Sequence, residues 1–138
     1  MRMDDGTIER IRAELASACG ELPVRLVVLF GSQADGRARP DSDVDVAVQL
    51  TPNGRWDHAF RVAGLVEELV RREVDVVVLN EAGATLLLNV AAGGIPLFEA
   101  RVGDWRRFWH AAYRMYEEAE PVRAMQNAIL QRRWGVTL

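Results

Sequence analysis

The chain has 138 residues, 49% of them hydrophobic, a formal net charge of −3, and 17 basic residues that are all arginine. One domain with its own core fits this size, and the near balance of charge disfavours a broad basic surface for nucleic acid, so no direct nucleic-acid binding is expected. Having no lysine excludes P-loop, Schiff-base and lysine-adenylating chemistry. The single Cys19 cannot form an internal disulfide, and no Cys/His group has zinc-ligand spacing, which points to a reducing compartment. The start MRMDDGTIER has no apolar leader segment, and no apolar run nears the roughly 18 residues a membrane span needs. A cytoplasmic protein with no membrane association is expected.

In chain order, residues about 5 to 19 carry Ile8, Ile11, Leu15 and Ala18 at helical spacing, with Asp4 and Asp5 placed to cap the start and Gly20 to stop it. Val24 to Phe30 reads as a strand bounded by Pro23 and Gly31, and Val44 to Leu50 as a second, ended by Pro52 and Gly54. Between them Gly31-Ser32 opens what could be a short helix. Residues about 56 to 72 place Phe60, Ala63, Val66, Leu69 and Val70 on one helical face, and Val74 to Leu79 follows as a third strand. Ala82 to Ala92 reads as a helix, Ile95 to Phe98 as a short strand, and Asp104 to Glu118 as an aromatic-rich helix. Pro121 is expected to open a last helix reaching about Trp134. The expected organisation is one domain over 1–138, with a core at about 22–100 and a helical extension at about 103–134.

The chemistry concentrates in GSQADGRARPDSDVD, Gly31 to Asp45. Alternation along a strand points Asp43 and Asp45 the same way, with Val44 and Val46 on the other face. Two like charges so placed repel and raise the pKa of one member unless something positive lies between them. Mg²⁺ favours such a site, taking one or two carboxylates plus substrate phosphate oxygens. Gly31-Ser32 offers backbone N–H groups and a hydroxyl for phosphate, with glycine permitting close approach. Asp75 interrupts an otherwise apolar strand and is expected to face the same polar pocket. Three carboxylates from two strands can bind two Mg²⁺ in the arrangement used for in-line phosphoryl displacement, and Asp75 could take the proton of an attacking hydroxyl.

Gly31-Ser32, ten residues, Asp43-Val44-Asp45 and a later Asp75 resemble the signature of the DNA polymerase beta-like nucleotidyltransferase superfamily. The short chain looks like its minimal nucleotidyltransferases (MNT), the antitoxin half of HEPN/MNT toxin-antitoxin pairs. The resemblance implies an α+β fold: a small mixed β-sheet backed by helices, with C-terminal helices. It implies that Gly31 and Ser32 contact the triphosphate of ATP, that Asp43 and Asp45 ligate Mg²⁺, and that Asp75 completes the site as base. By the same resemblance the reaction moves AMP from ATP to a tyrosine of a cognate HEPN ribonuclease toxin and silences it. Asp35 departs from the family pattern, standing where relatives often carry a basic residue, so Arg37 or Arg39 would meet the phosphates instead.

Plainer readings stand beside these. Pro40-Asp41-Ser42-Asp43 is also good turn and cap chemistry, Asp75 could be an edge-strand charge that blocks aggregation, and Arg37 and Arg39 could simply be solvated. His58 and His110 have no triad partner in the sequence. Trp105, Phe108, Trp109 and Tyr116 are expected to pack on the domain, and the last helix, with Met125, Ile129, Leu130 and Trp134, is the better partner surface. Two other functions stand as alternatives: transfer to a drug-like hydroxyl, as in aminoglycoside nucleotidyltransferases, and neutralisation of a partner by binding alone with the metal site unused.

Overall fold

The computed structural model describes residues 2–36 and 43–135, with Asp35 and Arg123 described by their backbone only. Its elements are α1 (Asp5–Ala18), β1 (Val24–Phe30), α2 (Ser32–Asp35), β2 (Val44–Leu50), α3 (Trp56–Val70), β3 (Val74–Val78), α4 (Ala84–Gly93), β4 (Ile95–Glu99) and α5 (Asp104–Trp134). Helix α1 starts where Asp4 accepts from the Thr7 N–H at 2.9 Å and the Thr7 hydroxyl at 2.7 Å, which satisfies one of the free amides of the first turn. Helix α3 starts where the Arg55 N–H donates to His58 Nδ1 at 3.0 Å, giving that histidine a capping role.

The four strands form one mixed sheet in the order β3-β2-β1-β4. β1 runs antiparallel to both β2 and β4, whereas β2 and β3 are parallel and joined through α3, as a parallel pair requires a crossover. This is the expected small mixed sheet backed by helices. β4 is an edge, and Pro96 sits in it where a missing N–H is tolerated; the Arg12 guanidinium donates twice to the Pro96 carbonyl, at 3.1 and 3.0 Å, and so ties α1 to that edge. At the other end Asn80 copies a strand, accepting from the Leu50 N–H at 2.8 Å and donating to the Leu50 carbonyl at 3.0 Å.

Alternation splits the core into two layers. On one face Val27, Leu29, Val44, Val46 and Val48 pack with Ile8, Ile11 and Leu15 of α1 and with Ala59, Val62 and Val66 of α3. On the other, Leu26, Val28 and Ala47 pack with Leu87 and Val90 of α4 and with Phe108 and Ala112 of α5. Two expectations need correction. Phe60 does not join the buried face of α3 but stands 57% exposed, because Ala59 and Val62 face the sheet; its ring pairs with exposed Trp56, centroids 5.6 Å apart. Pro121 does not open a separate helix: α5 is continuous through it. A proline removes one backbone bond and adds a steric clash in a helix interior, a penalty the long flanking segments of α5 absorb here.

Candidate functional site

The site is built from the end of β1 and the starts of β2 and β3. Register pairs Phe30 with Asp45 and Asp45 with Asp75. Paired residues on neighbouring strands project to the same face, so one aromatic and two carboxylates form a row across three strands. The face is that of Leu26, Val28 and Ala47, but the helical cover thins along it. Ala47 is fully buried, Asp45 half-buried and Asp43, just before the strand, exposed; in β1, Val28 is buried and Phe30 half-buried. The α4/α5 layer runs out where the acids begin.

Burial first, and then the negative charges of Asp75 and Asp43, push the Asp45 carboxyl above its ordinary range. Asp75 is itself exposed on edge strand β3, so the carboxylate that interrupts this apolar run carries no burial cost. Facing the same side as Asp45 is what the register establishes. An edge-guarding charge protects as well from any position on the edge; standing directly opposite another carboxylate adds repulsion that such a guard does not need.

Gly31 closes the site from the β1 side. It adopts φ 73°, ψ −151°, a region glycine enters and L-residues with side chains avoid. A β-carbon built there would lie 2.5 Å from Asp45 Oδ2. The missing side chain is therefore the space the carboxylate occupies. Ser32 follows as the first residue of α2 and is half-buried. Gln33 is buried, and its carbonyl accepts from the Met3 N–H at 3.0 Å, anchoring α2 to the N-terminal segment. Gln33 and Phe30 are not legible as site neighbours from the sequence, since neither an isolated glutamine nor a strand-terminal Phe carries a chemical signature. Arg37 and Arg39, expected to contact phosphate, lie outside the described residues.

Among the described residues no three acidic, His or Cys side chains converge into a group that could hold a metal ion. The donor set nevertheless fits a hard cation, with carboxylate oxygens only, one of them raised in pKa by burial and by the charge of its neighbours. Mg²⁺ takes several ligands from water and substrate phosphate, so a protein site for it need not be complete before the nucleotide arrives.

A mixed sheet with an acidic pair at the start of one strand and a glycine turn against it is the arrangement of a nucleotidyltransferase. Residues 14–101 match the family described as Polymerase beta, Nucleotidyltransferase, and the chain belongs to that family. It is 31% identical over 85 residues to the protein adenylyltransferase MntA of Shewanella oneidensis, covering 59% of this chain and 58% of that protein. The chain thus matches a little over half the length of this curated relative. Among solved structures it is 31% identical to a candidate minimal nucleotidyltransferase, covering 68% of this chain and 96% of that one with a TM-score of 0.58. It also shares its fold with the matched chain of a toxin-antitoxin crystal structure with AMP-PNP, at 23% identity, 94% and 98% coverage and a TM-score of 0.68. A chain from a complex of tri-AMPylated Shewanella oneidensis HEPN toxin with MNT antitoxin aligns at 20% identity, 91% and 97% coverage and a TM-score of 0.64. The family resemblance and the α+β fold expected from the sequence are borne out. Among the described residues no helix is long and apolar enough to cross a membrane.

Proposed function

We propose that this chain transfers AMP from ATP to a tyrosine hydroxyl of a cognate HEPN-type toxin and neutralises it. The observation that carries the reading is the row Phe30–Asp45–Asp75 with Gly31 open against Asp45. A carboxylate kept half-buried beside two like charges is a poor choice for stability and a good one for cation and phosphate binding. The name of the Shewanella relative and the AMPylated toxin beside an MNT antitoxin support the acceptor class.

In this reading Asp43 and Asp45, with Asp75, would hold one or two Mg²⁺. When bound, the metal would neutralise the triphosphate and the charge that develops during displacement. Gly31 lets the nucleotide tail approach the backbone, the Ser32 hydroxyl donates to a phosphate oxygen, and Arg37 and Arg39 contribute positive charge from the following segment. The acceptor oxygen forms its bond to the α-phosphorus as the bond to the bridging oxygen breaks; pyrophosphate leaves, and the hydroxyl proton passes to Asp75. The protein's contribution is positioning and electrostatics, as phosphoryl-type transfers require.

The test is direct. The purified chain is incubated with α-labelled ATP, Mg²⁺ and the HEPN-type protein encoded beside it. Label is expected on a tyrosine of that partner, and Asp43→Asn or Asp45→Asn should reduce it by at least 100-fold, on the scale of losing a transition-state electrostatic contact. Absence of label on the partner, or labelling unchanged in both variants, refutes the proposal.

A further inference from the structure

Helix α5 spans Asp104–Trp134, roughly 46 Å at 1.5 Å per residue, and only its first half is needed to cover the sheet. Its apolar stripe follows a strict four-three spacing: Phe108, Ala112, Met115, Ala119, Val122, then Ile129. That is the seam of a coiled coil. Phe108 and Ala112 are buried against the sheet, but Met115 is 44%, Val122 54% and Ile129 46% exposed, with Met125 beside them at 61%. The seam continues past the point where the domain can cover it.

Charge indicates what does. The bare half begins acidic, at Glu117 and Glu118, and ends basic, at Arg132 and Arg133, and all four side chains are exposed. Neither Glu118 nor Arg133 forms an ion pair among the described residues. A second copy laid antiparallel, with its two-fold axis between Met125 and Gln126, sets Val122 opposite Ile129 and Glu118 opposite Arg133, twice by symmetry. A parallel copy would set like charges against each other. Gln126, the one uncharged polar residue in the seam, then falls at the axis, where a single polar group fixes register and orientation. An isologous contact of this kind demands such self-complementarity.

We infer that the distal half of α5 pairs antiparallel with the same segment of a second copy of this chain. The test uses the full chain. Sedimentation velocity should show a dimer at tens of micromolar. Glu118→Arg and Arg133→Glu should each weaken it at least tenfold, and the double exchange should restore it. Because Cys19 is buried, Gln126→Cys adds the only accessible thiol; mild oxidation should give a disulfide-linked homodimer, whereas Arg61→Cys, at an exposed position of α3, should not. Circular dichroism of each variant separates loss of pairing from loss of folding. A folded monomer at that concentration overturns the inference and leaves the stripe to a different protein. A double exchange no better than the single changes overturns it, as does a dimer that Gln126→Cys fails to trap.

Discussion

Gly31→Ala separates two roles of one missing side chain. The first cost is backbone: φ 73°, ψ −151° lies in territory open essentially to glycine, and holding alanine there costs about 1–3 kcal/mol. The second is steric, a β-carbon 2.5 Å from Asp45 Oδ2, and overpacking of this kind costs about 1–3 kcal/mol unless the neighbour moves. Urea unfolding should therefore show a loss of about 2–6 kcal/mol, and any part recovered by swinging the Asp45 carboxylate aside reappears as lost transfer activity. Gly36→Ala is the control: its φ is 86° but no described residue lies within 4 Å of the built β-carbon, so the left-handed penalty of about 1–2 kcal/mol is the cost expected. Replacing Asp45 by alanine removes the atoms at 2.5 and 3.4 Å and leaves an ordinary contact at 3.5 Å. In that background Gly31→Ala should cost only its backbone share, so the two sites couple by about 1–3 kcal/mol in a double-mutant cycle. Costs that add within about 0.5 kcal/mol, or a Gly31→Ala protein as stable and active as wild type, would refute the reasoning.

Asp45→Asn should stabilise the metal-free protein, by about 0.5–1 kcal/mol, since it removes a like charge paired directly with Asp75, while transfer activity disappears; denaturant midpoints in EDTA measure the first effect. The native Asp45 pKa is raised from 3.8, so the folded protein binds protons that the unfolded chain has released. Its contribution to stability is present below that value and is lost as pH rises through the native pKa. The wild-type minus Asp45→Asn stability difference should move against wild type across that acidic window, and Mg²⁺ affinity, followed by calorimetry, should climb through it. Asn80→Ala removes both bonds to Leu50 and should lower unfolding free energy by about 1–3 kcal/mol, with activity per folded molecule retained.

Most of the framework was legible because local signals agreed with the tertiary outcome. Val24–Phe30 and Val44–Leu50 are strands at the expected bounds, each a β-rich run closed by Pro or Gly, and Asp4 caps α1 as its position suggests. Failures arose where context outweighs pattern. Phe60 fits the apolar stripe of α3 by spacing alone, but small Ala59 lets the helix approach the sheet on a neighbouring line, and periodicity cannot tell which of two adjacent lines will touch. Pro121 reads as a helix opening because proline is favoured there; a helix already propagating from a packed segment can carry it through. At the candidate site, Asp43 and Asp45 were singled out by spacing and alternation, and Asp75 as a charge inside an apolar run. That Gly31 touches Asp45 was beyond sequence, since it depends on the antiparallel register that brings Phe30 opposite Asp45.

The exposed Asp75 bears on how such a site can exist at all. Burying three carboxylates together would cost more than a small domain's whole stability, because each unpaired buried ion carries several kcal/mol of desolvation. The fold avoids this by grading cover along one sheet face: Val28 and Ala47 are sealed under α4 and α5, Phe30 and Asp45 are half-covered, and Asp43 and Asp75 stand in solvent. Only Asp45 sits where the local dielectric is low enough for its neighbours' charges to be felt strongly. It follows that Asp45 is the position at which cation binding and charge removal should register most in stability. The same neutralising change at Asp75, where water screens the charge, should alter stability less while still abolishing transfer if that carboxylate takes the proton. Equal stabilisation by Asp45→Asn and Asp75→Asn, measured without divalent cation, would show that the graded cover does not set the electrostatics of this site.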